Sequence, residues 1–324
     1  MTTIQFRPLA SESLGVRSMA VFIETPDVRL LVDPGVSLGR RWGLLPHPQE
    51  YRRLLACRED ILHHADRCEV IAVSHYHFDH CPPSFVDAVW TLSHPDEAKR
   101  IVQDKVVLAK DGRSHVHAGQ RRRGWLFKKL LGASAKDFQV ADGRVFAFGS
   151  TTITFSPPVF HGEENTPLGW VLMTQVDCEG ERVLHASDVQ GPMHDATLRL
   201  MLAAHPQLVY VGGPPLYLAD FRVDRPVIER GLTNLATLTA AIPTMLVDHH
   251  LLRDEAWRDA ATGVFQAAQR QGHRVVTAAE FRGHEDQLLE SKRRHLYEAD
   301  PPSAEFRKWT RLSRAKRRTV WPPL

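Results

Sequence analysis

Residues 69–80 read EVIAVSHYHFDH: a short apolar run, Val70-Ile71-Ala72-Val73, followed at once by three histidines and an aspartate. The run has the length and character of a strand buried in a sheet. Where that strand leaves the sheet, the two-residue period puts His75 and His77 on one face, while the turn beyond can swing Asp79 and His80 toward a neighbouring point. One segment can therefore serve two metal ions. Neutral imidazoles with a carboxylate suit zinc, and also iron or manganese, so residue chemistry alone does not choose the metal. Ordinary packing gives little reason for three His and one Asp within six residues.

The pattern on either side of this stretch alternates strands with helices. Upstream, MAVFIET (19–25) and RLLVDPG (29–35), joined across Pro26-Asp27, read as a hairpin. EYRRLLACREDILHHADR (50–67) then places Leu54, Leu55, Ile61 and Leu62 at helical spacing, with its charged positions fitting a solvated face. A helix feeding the strand at 70–73 is the βαβ manner of organisation. Downstream, RVFAFG (144–149), TTITF (151–155), WVLMTQV (170–176) and ERVLHAS (181–187) resume the β pattern. A third series follows: LVYVGG (208–213), a helix near 226–241, TMLVD (244–248), a helix over about 253–270, and RVVTA (274–278). Two packed sheets with helices outside, an α/β architecture in one domain over 1–290, is the expectation.

Length and charge support one large folded body with two unusual segments. The chain has 324 residues, 43% hydrophobic and 24% charged, which is enough apolar material for a sizeable core. Its formal charge of +3 is an average. Residues 292–324 hold ten Lys or Arg against three acids, and 98–137 hold eleven against three, so the remainder carries −12. The first segment reads as a basic C-terminal extension from 291. The second, with Trp125 and Phe127 between clusters of Arg and Lys, reads as a basic insertion anchored by its aromatics, or as a cap that draws in an anion. No basic leader precedes an apolar run and no long apolar stretch occurs, so the expectations are a cytoplasmic location and no membrane span. Four widely spaced cysteines, at 57, 68, 81 and 178, support neither a disulfide scaffold nor a zinc knuckle.

The segment from His75 to His80 resembles the HxHxDH motif of the metallo-beta-lactamase superfamily, and further landmarks follow in order from about residue 18 to 278. The resemblance implies a four-layer αββα sandwich. It makes Asp33, in LLVDPG, an acceptor that orients a ligand histidine and fixes its tautomer, and His161, in SPPVFHGEE, the partner of His75 and His77 around a first metal. It makes Asp188, in VLHASDVQG, the bridging carboxylate, and His249, in MLVDHHLLRD, the ligand that completes a second site with Asp79 and His80. His250 is adjacent and is the alternative; the match of VSH ending at His75 with VDH ending at His249 favours His249. His185 and His194, near the bridging position, read as polar residues of the surroundings, as do His63, His64, His115 and His117. Arg17 and Ser18 read first as structural residues. Together with ASESLGVRSMA (10–20) and GGPPLYL (212–218), these stretches look most like a group of predicted metallo-hydrolases, a narrower resemblance that brings no substrate with it.

The chemistry so implied is hydrolysis at a dinuclear centre, most readily with two zinc ions and with iron or manganese as alternatives. In the family pattern a metal-bound hydroxide is the nucleophile, and Asp79 orients it as the catalytic side chain. An aspartate at 188 fits a phosphoesterase or thioesterase, and the basic segments fit a small anionic substrate, so an anionic ester such as a phosphodiester ranks first. Two other classes stand beside it. The tail FRKWTRLSRAKRRTVWPPL (306–324) could make the protein a nucleic-acid binder on a metallo-hydrolase scaffold, although packing of its aromatics on the body is the first reading. Bound iron would indicate a metal-dependent redox enzyme.

Overall fold

A computed structural model describes residues 3–324 and shows two sheets packed face to face with helices on both outer faces. In the first sheet β1 (Gln5–Ser11), β2 (Met19–Glu24) and β3 (Arg29–Val32) are antiparallel in turn; β4 (Val70–Val73), β5 (Val106–Ala109) and β6 (Asp137–Val140) continue parallel to β3. The second begins with the hairpin of β7 (Val145–Phe148) and β8 (Thr151–Phe155). After a two-residue ribbon of β9 (Val159–Phe160) and β10 (Trp170–Val171), β11 (Thr174–Cys178) joins β8 to β12 (Glu181–Ser187). Then β13 (Leu208–Gly212), β14 (Thr244–Asp248) and β15 (Arg274–Val276) extend the sheet parallel to β12. This is the four-layer αββα sandwich of the metallo-beta-lactamase type.

The continuous apolar runs are explained by burial on both faces of each strand. Val70 and Ala72 point between the sheets with Val21, Ile23, Leu108, Ile153 and Phe155. Ile71 and Val73 point the other way, toward α1 (Pro48–Ala65), α2 (Pro95–Val102) and α3 (Ala118–Leu131), and meet Tyr51, Leu54, Ile101 and Phe127. On the far side Leu184, Val209, Val211, Met245 and Val247 pack beneath α4 (Asp195–Ala203), α5 (Arg225–Ala241), α6 (Trp257–Ala260) and α7 (Thr262–Gln271). The first helix starts at Pro48 because His47 and Glu50 close a reciprocal cap around its first turn.

Three sequence expectations need correction. Residues 98–137 are not an insertion: β5 lies between β4 and β6 in the first sheet, and α3 buries Phe127 and Leu131 in its core. Their basic side chains decorate an integral layer, since a helix on a sheet needs only one apolar face. Trp125 is 56% exposed, so Phe127 alone of the two aromatics is an anchor. Nor is every charged position of α1 solvated, because buried Glu50 forms a two-armed ion pair with Arg293, at 2.7 Å on each arm.

After α8 (Ala278–Phe281), the basic extension folds into α9 (Arg293–Ala299), α10 (Ala304–Thr310) and α11 (Arg314–Arg317). It docks on the first layer. Phe306 and Trp309 enter the core beside Tyr51, with ring centroids 6.1 and 5.9 Å away, and Trp309 donates to the Val320 carbonyl at 2.6 Å. Among the described residues no helix is long and apolar enough to cross a membrane, and all four cysteines are free and buried. Phe306→Ala is expected to lower the unfolding free energy by about 3–5 kcal/mol, the usual cost of emptying a buried aromatic site. Urea denaturation measures it, and an unchanged midpoint would mean that the extension is not docked in solution.

Candidate metal centre

The polar cluster forms where parallel strands of both sheets end. β3 and β4 deliver Asp33 and His75, while β12 and β14 deliver Asp188 and His249, so the carboxyl ends of strands from two sheets converge on one point. The chain turns off sharply there. Asp33, Ser187 and His249 take left-handed backbone, with φ of 50°, 58° and 61°, a conformation that costs a non-glycine residue of order 1–3 kcal/mol. Gly35 has no room for a side chain: a Cβ would lie 2.5 Å from the backbone at His80 and Cys81. Its N–H donates to the His80 carbonyl at 3.0 Å, tying the loop after β3 to the turn that carries Asp79 and His80.

Four overlapping groups of candidate ligands assemble, among them Asp188, His249 and His250; two of the four correspond to the two expected sites. In the first, His75 Nε2 lies 3.1 Å from His77 Nδ1, which lies 3.2 Å from His161 Nε2. Nitrogens bound at about 2.0–2.1 Å around a tetrahedral zinc would stand roughly 3.3 Å apart, so this spacing fits a shared cation. In the second, Asp79, His80 and His249 converge, with His80 Nε2 3.4 Å and Asp79 Oδ2 3.8 Å from His249 Nε2. Asp188 lies between the groups. Its Oδ2 is 2.9 Å from His161 Nε2, 3.4 Å from His249 Nε2 and 3.1 Å from His250 Nε2, while its buried Oδ1 has no hydrogen-bond partner. A buried carboxylate oxygen left without a donor is costly, and a divalent cation satisfies it.

The second group is held from behind by carboxylates. His80 Nδ1 donates to Asp33 Oδ2 at 2.8 Å, and His249 Nδ1 donates to Glu12 Oε2 at 2.8 Å, which leaves both Nε2 lone pairs facing the same point. Asp33 is fixed in turn by the Ser74 amide at 2.7 Å and the Ser74 hydroxyl at 2.6 Å. Glu12 is fixed by Arg253, whose Nε donates to it at 2.5 Å. No motif flags Glu12 in the sequence, although it is the lone acid of ASESLGVRSMA. Ser74, Gln190 and Arg253 were equally silent; Gln190 places its amide 3.3 Å from His161 Nδ1.

His249, fully buried, stands in the group with Asp79 and His80; His250 meets Asp188 from the solvent side, its Nδ1 accepting from the Tyr217 hydroxyl at 2.9 Å. His185 faces away and donates to the Met19 carbonyl at 2.9 Å, and His194 precedes α4 against Phe160. Arg17 is neutralised by Glu290, and Ser18 donates to the Gly35 carbonyl at 2.6 Å.

The electrostatics favour cations. Burial would raise Asp79 and Asp188, but the surrounding imidazoles hold both carboxyls well below the usual range, so both are ionised. Burial, with neighbouring imidazoles, lowers His75, and brings His77 to about 3, leaving neutral rings with free lone pairs. His249 is the exception: burial lowers it, but Glu12 and Asp188 outweigh that and carry it up to about 10. A proton and a cation compete for that nitrogen.

A cleft of about 780 Å³ opens onto the cluster and is lined by His77, Asp79, His161, Asp188 and His250. Arg123 of α3 forms part of its wall, stacked 4.7 Å over Phe78, and its helix packs on the strand exit by placing Gly124 against the Tyr76 ring.

No family model matches the chain. A UPF0282 protein of Methanopyrus kandleri is 40% identical over 290 residues, covering 89% of this chain and 97% of its own. Among solved structures, a metal-dependent hydrolase of the beta-lactamase superfamily matches at a TM-score of 0.46 and 13% identity, over 85% of this chain and 95% of its own. A diiron beta-hydroxylase from Streptomyces venezuelae also gives 0.46, at 14% identity; the match covers 85% of this chain and 52% of that one, so this chain spans about half its length.

His77→Ala is expected to lose bound metal, read by elemental analysis of the purified variant; full metal content would contradict a ligand role. Stripping metal from the unmutated protein with a chelator is expected to lower its Tm. An ion that binds only the folded cluster stabilises by about 4 kcal/mol at a thousandfold excess over its Kd.

Proposed function

The chain belongs to the UPF0282 family, and on that footing we propose that it is a metal-dependent hydrolase of an anionic ester, a phosphodiester in the first instance. The observation that carries this reading is the placement of Asp188 between two ligand groups at the floor of an open cleft. His75, His77 and His161 would hold one ion, Asp79, His80 and His249 the other, and Asp188 would touch both. Zinc suits this donor set best. Two divalent ions bound there supply Lewis acidity to an ester oxygen and lower the pKa of a water toward neutrality.

The chain's own residues supply position and charge. Asp79 reaches the cleft while ionised, so its carboxylate can accept the proton of an attacking water and align it. His250, on the cleft side and held near neutrality of charge by burial and by Arg253, donates or accepts at the rim of Asp188. Arg123 is the wall cation best placed for an anionic ester. Of the four arginines that line the cleft, Arg17 and Arg253 are already paired with Glu290 and Glu12, whereas Arg123 and Arg222 have no carboxylate within salt-bridge distance among the described residues; Arg123 is the one of these two that contacts the segment carrying His77 and Asp79. Its ring of donors is steadied by stacking on Phe78 and by a 3.3 Å bond to the Tyr76 carbonyl.

Hydrolysis of a chromogenic phosphodiester, lost on chelation and restored by zinc, tests the reading; a protein fully loaded with zinc that turns over no phosphodiester, thioester or lactone would sink it. Two iron atoms per chain with oxygen consumption would place the protein in the redox class instead. Asp79→Asn is expected to lower kcat by about a hundredfold or more, the scale of a general base. Arg123→Ala should act mainly on KM, raising it about tenfold or more, as loss of a charged hydrogen bond does. Steady-state kinetics with metal content measured alongside separates the two.

A further inference from the structure

A second cleft, of about 760 Å³, lies against the first and is unlike it in charge. Its wall carries Arg40, Arg307, Arg314, Arg317 and Arg318, with Asp87 as its one carboxylate. Asp87 is already engaged, accepting from the Val89 and Trp90 amides at 2.8 Å each. The arginines are not. None has a carboxylate within salt-bridge distance among the described residues; Arg40, Arg307 and Arg317 bond only to the carbonyls of Gly43, Pro302 and Thr310. Arg317 Nε is buried with no acceptor at all. Five guanidinium groups held around one hollow without counter-ions repel one another, and that arrangement suits a polyanion.

Four of the five come from α10 and α11 and the residue after them, so the docked extension builds this wall. Its position is fixed by Phe306 and Trp309 in the core and by the Ala88 amide, which donates to the Arg318 carbonyl at 3.0 Å. Phe78, Phe85, Trp90 and Tyr297 line the same hollow. Phe78, Trp90 and Thr91 also line the cleft over the candidate metal centre, so the two hollows share a wall. Phe78 lies between His77 and Asp79 in sequence.

We propose that the arginine cleft binds single-stranded nucleic acid, its backbone phosphates on the five arginines and its bases against the aromatic wall, with the strand leading over Phe78 toward the metal centre. Charge spread along a hollow selects a chain of phosphates over a single one, and aromatic faces beside it are the companion feature of single-strand binding. A concave hollow suits a flexible strand. That this strand is the flank of the hydrolysed ester rests on the reading above; the binding does not.

The test is fluorescence anisotropy of the full, metal-loaded chain with a labelled twelve-residue oligouridine at 50 and 200 mM salt. Binding should weaken about a hundredfold across that range if five phosphates are met, from a log–log slope of roughly −0.7 per phosphate. Arg314→Glu with Arg318→Glu, and separately Arg40→Glu outside the extension, should each weaken binding tenfold or more, with Tm and metal content as in the parent. Arg314→Lys with Arg318→Lys should keep most of the affinity, which separates lost charge from damaged folding. No binding at 50 mM salt, or equal affinity in the charge-reversed variants, would overturn the proposal. Equally tight binding of inorganic polyphosphate of matched charge would also overturn it, since the aromatic wall would then contribute nothing. Turnover is not read, so a protein that binds the oligonucleotide through these arginines yet cleaves no ester keeps this proposal and fails the previous one.

Discussion

Asp33, Asp79, Asp188 and Glu12 are brought close together at the seam of two sheets, and Arg253, directly bonded to Glu12, is the principal fixed positive charge among them. Ionised carboxylates buried together repel and lose hydration, so such a cluster is stable only with compensating charge. The rest of the architecture answers this. Asp33 and Glu12 each spend an oxygen on a histidine Nδ1–H, which turns the opposite nitrogens inward, and the left-handed residues at the strand ends hold the turns that make this possible. The sandwich buries a carboxylate-rich point between its sheets and leaves it open to one cleft.

Two sheets are needed because no single strand end could supply the donors. The first sheet contributes the histidines of the strand exit at 75–80 and the orienting Asp33; the second contributes Asp188 and His249. Core and site are thus coupled through shared strands. Val70 and Ala72 pack between the sheets, Ile71 and Val73 pack under the helices, and two residues further on the same backbone presents His75. A strand buried on both faces is rigid, and rigid strands place ligands better than loops do.

Much of this could be read from residue order. The run VIAV followed by HYHFDH carried the strand, its exit and half the polar cluster, because the period of two and the donor chemistry are both local facts. The later strands were equally legible as apolar runs between turns. Asp33, His161, Asp188 and His249, distant from that run, were named only through the family resemblance, and what escaped both readings were partners that no motif marks. Glu12 is an unremarkable acid until the fold brings it to His249 and Arg253, 237 and 241 residues away. Residues 98–137 looked foreign because their composition is basic, yet composition reports the solvent face; the buried face, with Phe127, Leu131 and the strand at 106–109, belongs to the first sheet. The extension hid its anchors likewise, since Phe306 and Trp309 acquire meaning only beside Tyr51.

Those long separations bear on synthesis as well as on stability. The first core contains Tyr51 and is completed by Phe306 and Trp309, so a nascent chain that has already made its first sheet still exposes an aromatic-sized gap. The polar cluster is likewise unfinished until the segment around 249–253 has emerged to meet Glu12. On a ribosome, where residues appear at about 5–20 per second, that leaves an N-terminal half waiting on the order of ten seconds or more with an open seam. Both the first core and the polar cluster are therefore completed only by residues from the last quarter of the chain.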